Sequence, residues 1–125
     1  MQVLLIDDDD GNRLLVRQGL EQRFGATVTG AKNGVEALRV LERLVPDLIF
    51  LDLWMPVLNG HDFLERMRGV KEWKDIPVIV MTAMQDKHVV QKLLQMRISG
   101  YMVKPVTMEQ LTDHVTRICA VLPVN

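Results

Sequence analysis

The stretch Val3-Leu4-Leu5-Ile6-Asp7-Asp8-Asp9-Asp10 decides how the rest of the chain is read. Four apolar residues end abruptly on four carboxylates. An unbroken apolar run of this length suits a strand buried on both faces, as in a parallel sheet covered by helices. The aspartates then mark the point where the strand leaves the core. The design recurs downstream. Residues 48–51 are apolar and meet Asp52, residues 78–81 meet Thr82-Ala83, and residues 101–103 meet Lys104-Pro105. A fifth run, 27–31, alternates in part, as does 101–103.

Segments with helical spacing separate these runs. Val16, Leu20 and Phe24 fall at i, i+4 and i+8, and Gly25 offers a stop. Leu38 and Leu41 precede Pro46; Phe63, Leu64 and Met67 precede Gly69. Val90, Leu93 and Leu94 mark a fourth helix. Leu111, Val115, Ile118 and Leu122 mark a fifth, opened by Thr107-Met108-Glu109-Gln110, a capping-box pattern. The order is (βα)5, which predicts an α/β fold: a doubly wound, five-stranded parallel sheet with helices on both faces and right-handed crossovers. The longest loop is 69–77, where Trp73 is expected to pack on the body. Residues 1–125 are read as one domain.

Composition narrows the function. Fifteen Lys and Arg against sixteen Asp and Glu leave a formal charge of −1, which argues against direct nucleic-acid binding. No apolar run approaches the roughly 18 residues of a membrane span, so no membrane association is expected. The N-terminus lacks the basic leader of a signal peptide. Cys119 stands alone, excluding an intrachain disulfide and favouring the reducing cytoplasm.

Open α/β sheets bind ligands at the carboxyl ends of their strands, where the strand order reverses. In the order 2-1-3-4-5 that point lies between strands one and three, so Asp7, Asp8 and Asp52 meet there. Two carboxylates about 4 Å apart repel by roughly 4 kcal/mol at an effective dielectric near 20. Protons or a cation must relieve them, and an all-oxygen site suits Mg²⁺. His61, His88 and His114 follow no zinc-ligand spacing. Lys104 adds a cation and Thr82 a hydroxyl at neighbouring strand ends, a setting in which one carboxylate can act as nucleophile.

The segments Leu4-Leu5-Ile6-Asp7-Asp8-Asp9, Asp52-Leu53-Trp54-Met55-Pro56, Asn59-Gly60, Met81-Thr82-Ala83 and Lys104-Pro105 together resemble the response regulator receiver family, over essentially the whole chain. The resemblance implies the order 2-1-3-4-5 and a Mg²⁺-dependent phosphoacceptor rather than a turnover enzyme. It implies that Asp52 takes a phosphoryl group from phosphohistidine on a histidine kinase or histidine phosphotransfer domain. Asp8, Asp52 and the Trp54 carbonyl would bind the metal, with Asp7 acting through water. Lys104 and Thr82 would contact the phosphoryl oxygens. Thr82 and Tyr101 would form the switch, remodelling the face of helix four, strand five and helix five for a downstream effector. The Lys104-Pro105 bond is expected to be cis.

Plainer readings apply elsewhere. Asp9 and Asp10 suit the first turn of helix one, and the eight methionines suit core filling. Val89, Met96, Tyr101 and Met108 are candidates for an exposed apolar patch. Trp54 and Met84 depart from the smaller or polar residues that the family commonly carries there, which suggests apolar screening of hydrolytic water. Three rivals are weighed: a non-phosphorylated receiver-like interaction module, a Mg²⁺-dependent phosphohydrolase with an Asp nucleophile, and a flavin or nucleotide module. The intact set Asp7, Asp8, Asp52, Thr82 and Lys104 opposes the first. Trp54 occupies the acid/base position of the second. Four carboxylates replace the phosphate loop of the third.

Overall fold

A computed structural model describes residues 1–55, 57–83 and 87–120, without the side chains of Lys87, Val89 and Val90. Met84, Leu122 and those two valine side chains therefore lie outside the described residues. The elements are β1 (Gln2–Ile6), α1 (Asp10–Phe24), β2 (Thr27–Ala31), α2 (Gly34–Leu41), β3 (Leu48–Asp52), α3 (Gly60–Arg68), β4 (Val78–Thr82), α4 (Lys87–Gln95), β5 (Gly100–Val103) and α5 (Met108–Cys119). All pairings are parallel, in the order β2-β1-β3-β4-β5. The alternation read from the sequence is the architecture found.

The continuous apolar runs are explained by burial on both faces. From β1, β3 and β4, Leu4, Ile6, Ile49, Leu51, Val78 and Val80 pack with Ala37 and Leu41 of α2, Phe63, Leu64 and Met67 of α3, and Leu93 of α4. The alternate residues Val3, Leu5, Leu48, Phe50, Ile79 and Met81 pack with Val16 and Leu20 of α1 and Leu111, Val115 and Ile118 of α5. Each such side chain contributes about 1.5–3 kcal/mol by leaving water. The edge strands β2 and β5 are covered less completely, hence their alternation.

Helix starts follow from local chemistry. Asp9, Asn33, Asn59 and Thr107 are N-caps whose side chains accept from the N–H three residues on. Such caps are worth about 1 kcal/mol each. Thr107 and Gln110 form the expected capping box. Gly25 ends α1 with φ of 60°, the left-handed conformation that a side chain would strain.

Two expectations change. Leu94 is 59% exposed rather than part of the α4 stripe, which rests on Leu93. Met96 and Met108 are half-buried against the two cores, so of the anticipated patch only Tyr101 is exposed among the described side chains. The 69–77 loop holds Trp73 half-buried on the α2–α3–α4 side as expected, and a half-buried arginine organises it. Arg68, the last residue of α3, donates to the carbonyls of Lys74 (2.7 Å), Ile76 (2.9 Å), Met96 (3.3 Å) and Arg97 (3.0 Å). It ties α3, the entry to β4 and the end of α4 together. Burial, helped by Arg97, lowers its pKa, yet a guanidinium stays charged under all ordinary conditions.

Candidate functional site

Register brings the acidic residues together. Ile6 of β1 pairs with Leu51 of β3, so the next residues, Asp7 and Asp52, emerge side by side at the strand ends. Thr82 pairs with Val103, which places Lys104 just beyond it, and the Lys104 N–H donates to the Thr82 carbonyl at 2.8 Å. Among the described residues Asp7, Asp52 and Thr82 are the buried polar ones, while Asp8 is exposed beside them. Carboxylate oxygens of Asp7, Asp8 and Asp52 all lie within 4.8 Å of one another.

One lysine bridges the two buried carboxylates. Lys104 Nζ stands 3.2 Å from Asp7 Oδ2 and 3.2 Å from Asp52 Oδ2. Burial by itself disfavours its charge, but attraction to Asp52 and Asp7 outweighs that and raises its pKa. Asp52 also accepts the Trp54 N–H at 3.2 Å on Oδ1. Burial and then the neighbouring Asp7 push the Asp52 carboxyl up to about 7, against the opposing pull of Lys104. One ammonium among three carboxylates leaves the cluster short of positive charge. At 4.8 Å and an effective dielectric near 20 each carboxylate pair repels by about 3.5 kcal/mol, so a further positive charge is favoured there. The donor set is hard oxygen throughout, which fits Mg²⁺ and not a soft metal.

Asp7 is held more firmly than sequence reasoning anticipated. Asn12, in the first turn of α1, donates through Nδ2 to Asp7 Oδ2. The Asp9 N–H donates to Asp7 Oδ1 at 2.9 Å, and Arg13 Nη1 to the Asp7 carbonyl at 2.7 Å while pairing with Asp10. The spacing of Asn12 from Asp7 is the only signal that could have exposed this, because the first turn of α1 folds back over the end of β1. Gly60, quoted above within Asn59-Gly60, is also where α3 meets the end of β3. A Cβ there would meet the Asp52 carbonyl oxygen at 2.4 Å and Leu53 Cα at 2.7 Å, so only glycine lets α3 start this close to the end of β3.

The remaining expected residues fall as follows. The Lys104-Pro105 bond is cis. Tyr101, on β5 opposite Val80, is 41% exposed. The Trp54 indole is 53% exposed and lines a groove with residues of α3 and α4. Met84, its suggested companion, lies outside the described residues. A second grouping, His61, Asp62 and Glu65, sits at the surface start of α3. Among the described residues no helix is long and apolar enough to cross a membrane.

Known proteins are similar to this chain in sequence and fold. A family model, the response regulator receiver domain, matches residues 3–116. An uncharacterized 14.6 kDa protein from the sodA1 3′ region of Leptolyngbya boryana is 36% identical over 98% of this chain and 93% of its own length. The chain spans only about half the length of two further curated relatives, 50% and 51%. Among solved structures, the chemotaxis response regulator CheY4 of Vibrio cholerae superposes with a TM-score of 0.86 at 30% identity, covering 94% of this chain and 97% of that one. The receiver domain of the sensor histidine kinase PA1611 from Pseudomonas aeruginosa, with a magnesium ion coordinated in its active site cleft, gives 0.85 at 27%, covering 95% and 97%. With a family match over residues 3–116 and solved receiver domains superposing on nearly the whole chain, the chain belongs to the response regulator receiver family of two-component signal transduction.

Proposed function

We propose that the chain is a phosphoacceptor, working as one receiver unit, in which Asp52 accepts a phosphoryl group from a phosphohistidine. The observation that carries this reading is the meeting of Asp7, Asp8 and Asp52 within 4.8 Å, with Lys104 Nζ 3.2 Å from two of them. A Mg²⁺ held by Asp8, Asp52 and the Trp54 carbonyl, with Asp7 behind them, would supply the missing positive charge and polarise the phosphoryl oxygens. The protein's own part is positioning and electrostatics. A carboxylate oxygen of Asp52 forms the new O–P bond as the P–N bond of the donor breaks, and the leaving imidazole takes up a proton. The Lys104 ammonium faces the charge on the transferred oxygens. Asn12 and the Asp9 N–H keep Asp7 oriented while this happens.

The partners follow from the family, which works with histidine kinases and downstream effectors: a histidine kinase or phosphotransfer domain as donor, and an effector that reads the α4–β5–α5 face. Thr82, buried at the end of β4, is the group expected to follow the phosphoryl oxygens, and Tyr101 the residue that changes exposure. The acyl phosphate must favour the rearranged state for such a population shift to occur. The protein is a switch and not a turnover catalyst.

Intact mass spectrometry tests the chemistry. With Mg²⁺ and a small phosphodonor, the chain is expected to gain one base-labile phosphoryl group, and Asp52→Asn to gain none. Absence of the adduct, or its persistence in Asp52→Asn, would refute the assignment.

A further inference from the structure

Asp7 is the most firmly held of the three carboxylates. It is fully buried, and two donors of fixed position reach it, one on each oxygen: the Asp9 N–H on Oδ1 at 2.9 Å and Asn12 Nδ2 on Oδ2. A third donor, Lys104 Nζ, lies 3.2 Å from Oδ2 and 3.4 Å from Oδ1, but it is shared with Asp52 at 3.2 Å. An ammonium on a flexible stem is a point charge and fixes no plane. The Asp9 N–H alone would leave the carboxylate free to pivot about one oxygen. Asn12 removes that freedom, and the lone pairs left over face Lys104 and Asp52.

Asn12 is itself anchored. Its N–H donates to the cap residue Asp9 at 3.1 Å, and its amide reaches Met81 Sδ of β4 at 3.9 Å. The next residue, Arg13, is bound to the Asp7 carbonyl at 2.7 Å. Asp8, by contrast, is exposed and carries no hydrogen bond among the described residues. The site joins a rigid carboxylate to an adaptable one, and that bears on the ion it takes. Mg²⁺ demands near-ideal octahedral geometry, whereas Ca²⁺ accepts about six to eight oxygens in a flexible shell. A locked carboxylate serves the stricter ion, and loosening it costs the larger ion less.

We propose that Asn12 is a positioning residue that sets the preference of the acidic site for Mg²⁺ over Ca²⁺ by locking the Asp7 carboxylate. The inference rests on the reading of Asp7, Asp8 and Asp52 as a divalent-cation site. Asn12 is uncharged, so replacing it by an apolar residue keeps the charge of the site and alters its geometry alone.

The test titrates the ¹⁵N-labelled chain with MgCl₂ and, separately, with CaCl₂, following the backbone N–H of Trp54, which donates to Asp52 Oδ1. Asn12→Leu keeps the approximate shape of the side chain and removes the donor; Asn12→Ala replaces it if the leucine variant does not fold. Affinity for Mg²⁺ is expected to fall about tenfold, the scale of a hydrogen bond behind a metal-site carboxylate, and affinity for Ca²⁺ by about threefold at most. In the metal-free variants the Asp9 N–H signal is expected to move upfield as its bond to Asp7 weakens. A loss of stability alone would move neither the ratio of affinities nor that signal. Equal losses for the two ions, unchanged affinities, or an Asp9 signal that stays in place would each overturn the proposal while leaving the metal site standing. A parent chain that binds neither ion would overturn both.

Discussion

Replacing Asp52 with asparagine should stabilise the metal-free protein. The Asp52 carboxyl stands at about 7 against an ordinary 3.8, because burial and Asp7 together outweigh Lys104. That difference of about 3 pH units corresponds to a ceiling of about 4 kcal/mol at 1.36 kcal/mol per unit. Relaxation and water entry reduce it, and the amide also gives up attraction to Lys104, so a gain of about 1–3 kcal/mol is expected above pH 7. The sign of the pH dependence follows from proton binding. Between the unfolded and folded pKa values the native state holds more protons, so stability falls as pH rises through about 4 to 7. The parent protein should therefore lose stability across that window relative to Asp52→Asn, and the gap should be largest above pH 7. Urea unfolding followed by circular dichroism, in a chelator and at several pH values, measures this directly. Added Mg²⁺ should narrow the gap, since only the parent keeps all three carboxylates. An Asp52→Asn protein no more stable than its parent at about pH 8, or a gap that ignores pH, would refute the electrostatic account.

Two further outcomes test the scaffold. Gly60→Ala puts a methyl group 2.4 Å from the Asp52 carbonyl oxygen, a clash with backbone that cannot yield cheaply; a loss of about 1–3 kcal/mol is expected in urea unfolding, together with weaker Mg²⁺ binding by calorimetry. Arg68→Met leaves four carbonyls without their shared donor; a loss of about 2–4 kcal/mol is expected, with amide exchange accelerating at residues 96–97 and 74–76 more than in β1.

Much of this protein is legible without coordinates. Residues 3–6, 48–51 and 78–81 are apolar without interruption because both sheet faces are covered, so strand identity and parallel topology follow from local composition. Capping at Thr107 and the stop at Gly25 are equally local, since each depends on residues within one helical turn. Charge repulsion predicts that aspartates at adjoining strand ends need a cation, and the family resemblance singles out Asp52 among them.

Tertiary structure decided what depends on residues far apart in the chain. Leu94 has the spacing of a core residue, but the rotation of α4 on the sheet leaves Leu93 inside and Leu94 in water. Met96, just after α4, and Met108, the first residue of α5, are half-buried against the two cores, and the patch expected around Tyr101 does not form among the described side chains. The bonds of Arg68 to the residue 96 and 97 carbonyls cross nearly thirty positions, and no periodicity announces them. The sharing of Lys104 between Asp7 and Asp52 spans 97 and 52 positions. The sequence alone therefore determines which elements form and which chemistry collects at the strand ends, because propensity, burial pattern and charge act over a few residues. Distances, shared partners and the groove beside Trp54 come from packing, because only the folded sheet brings those residues within reach of one another.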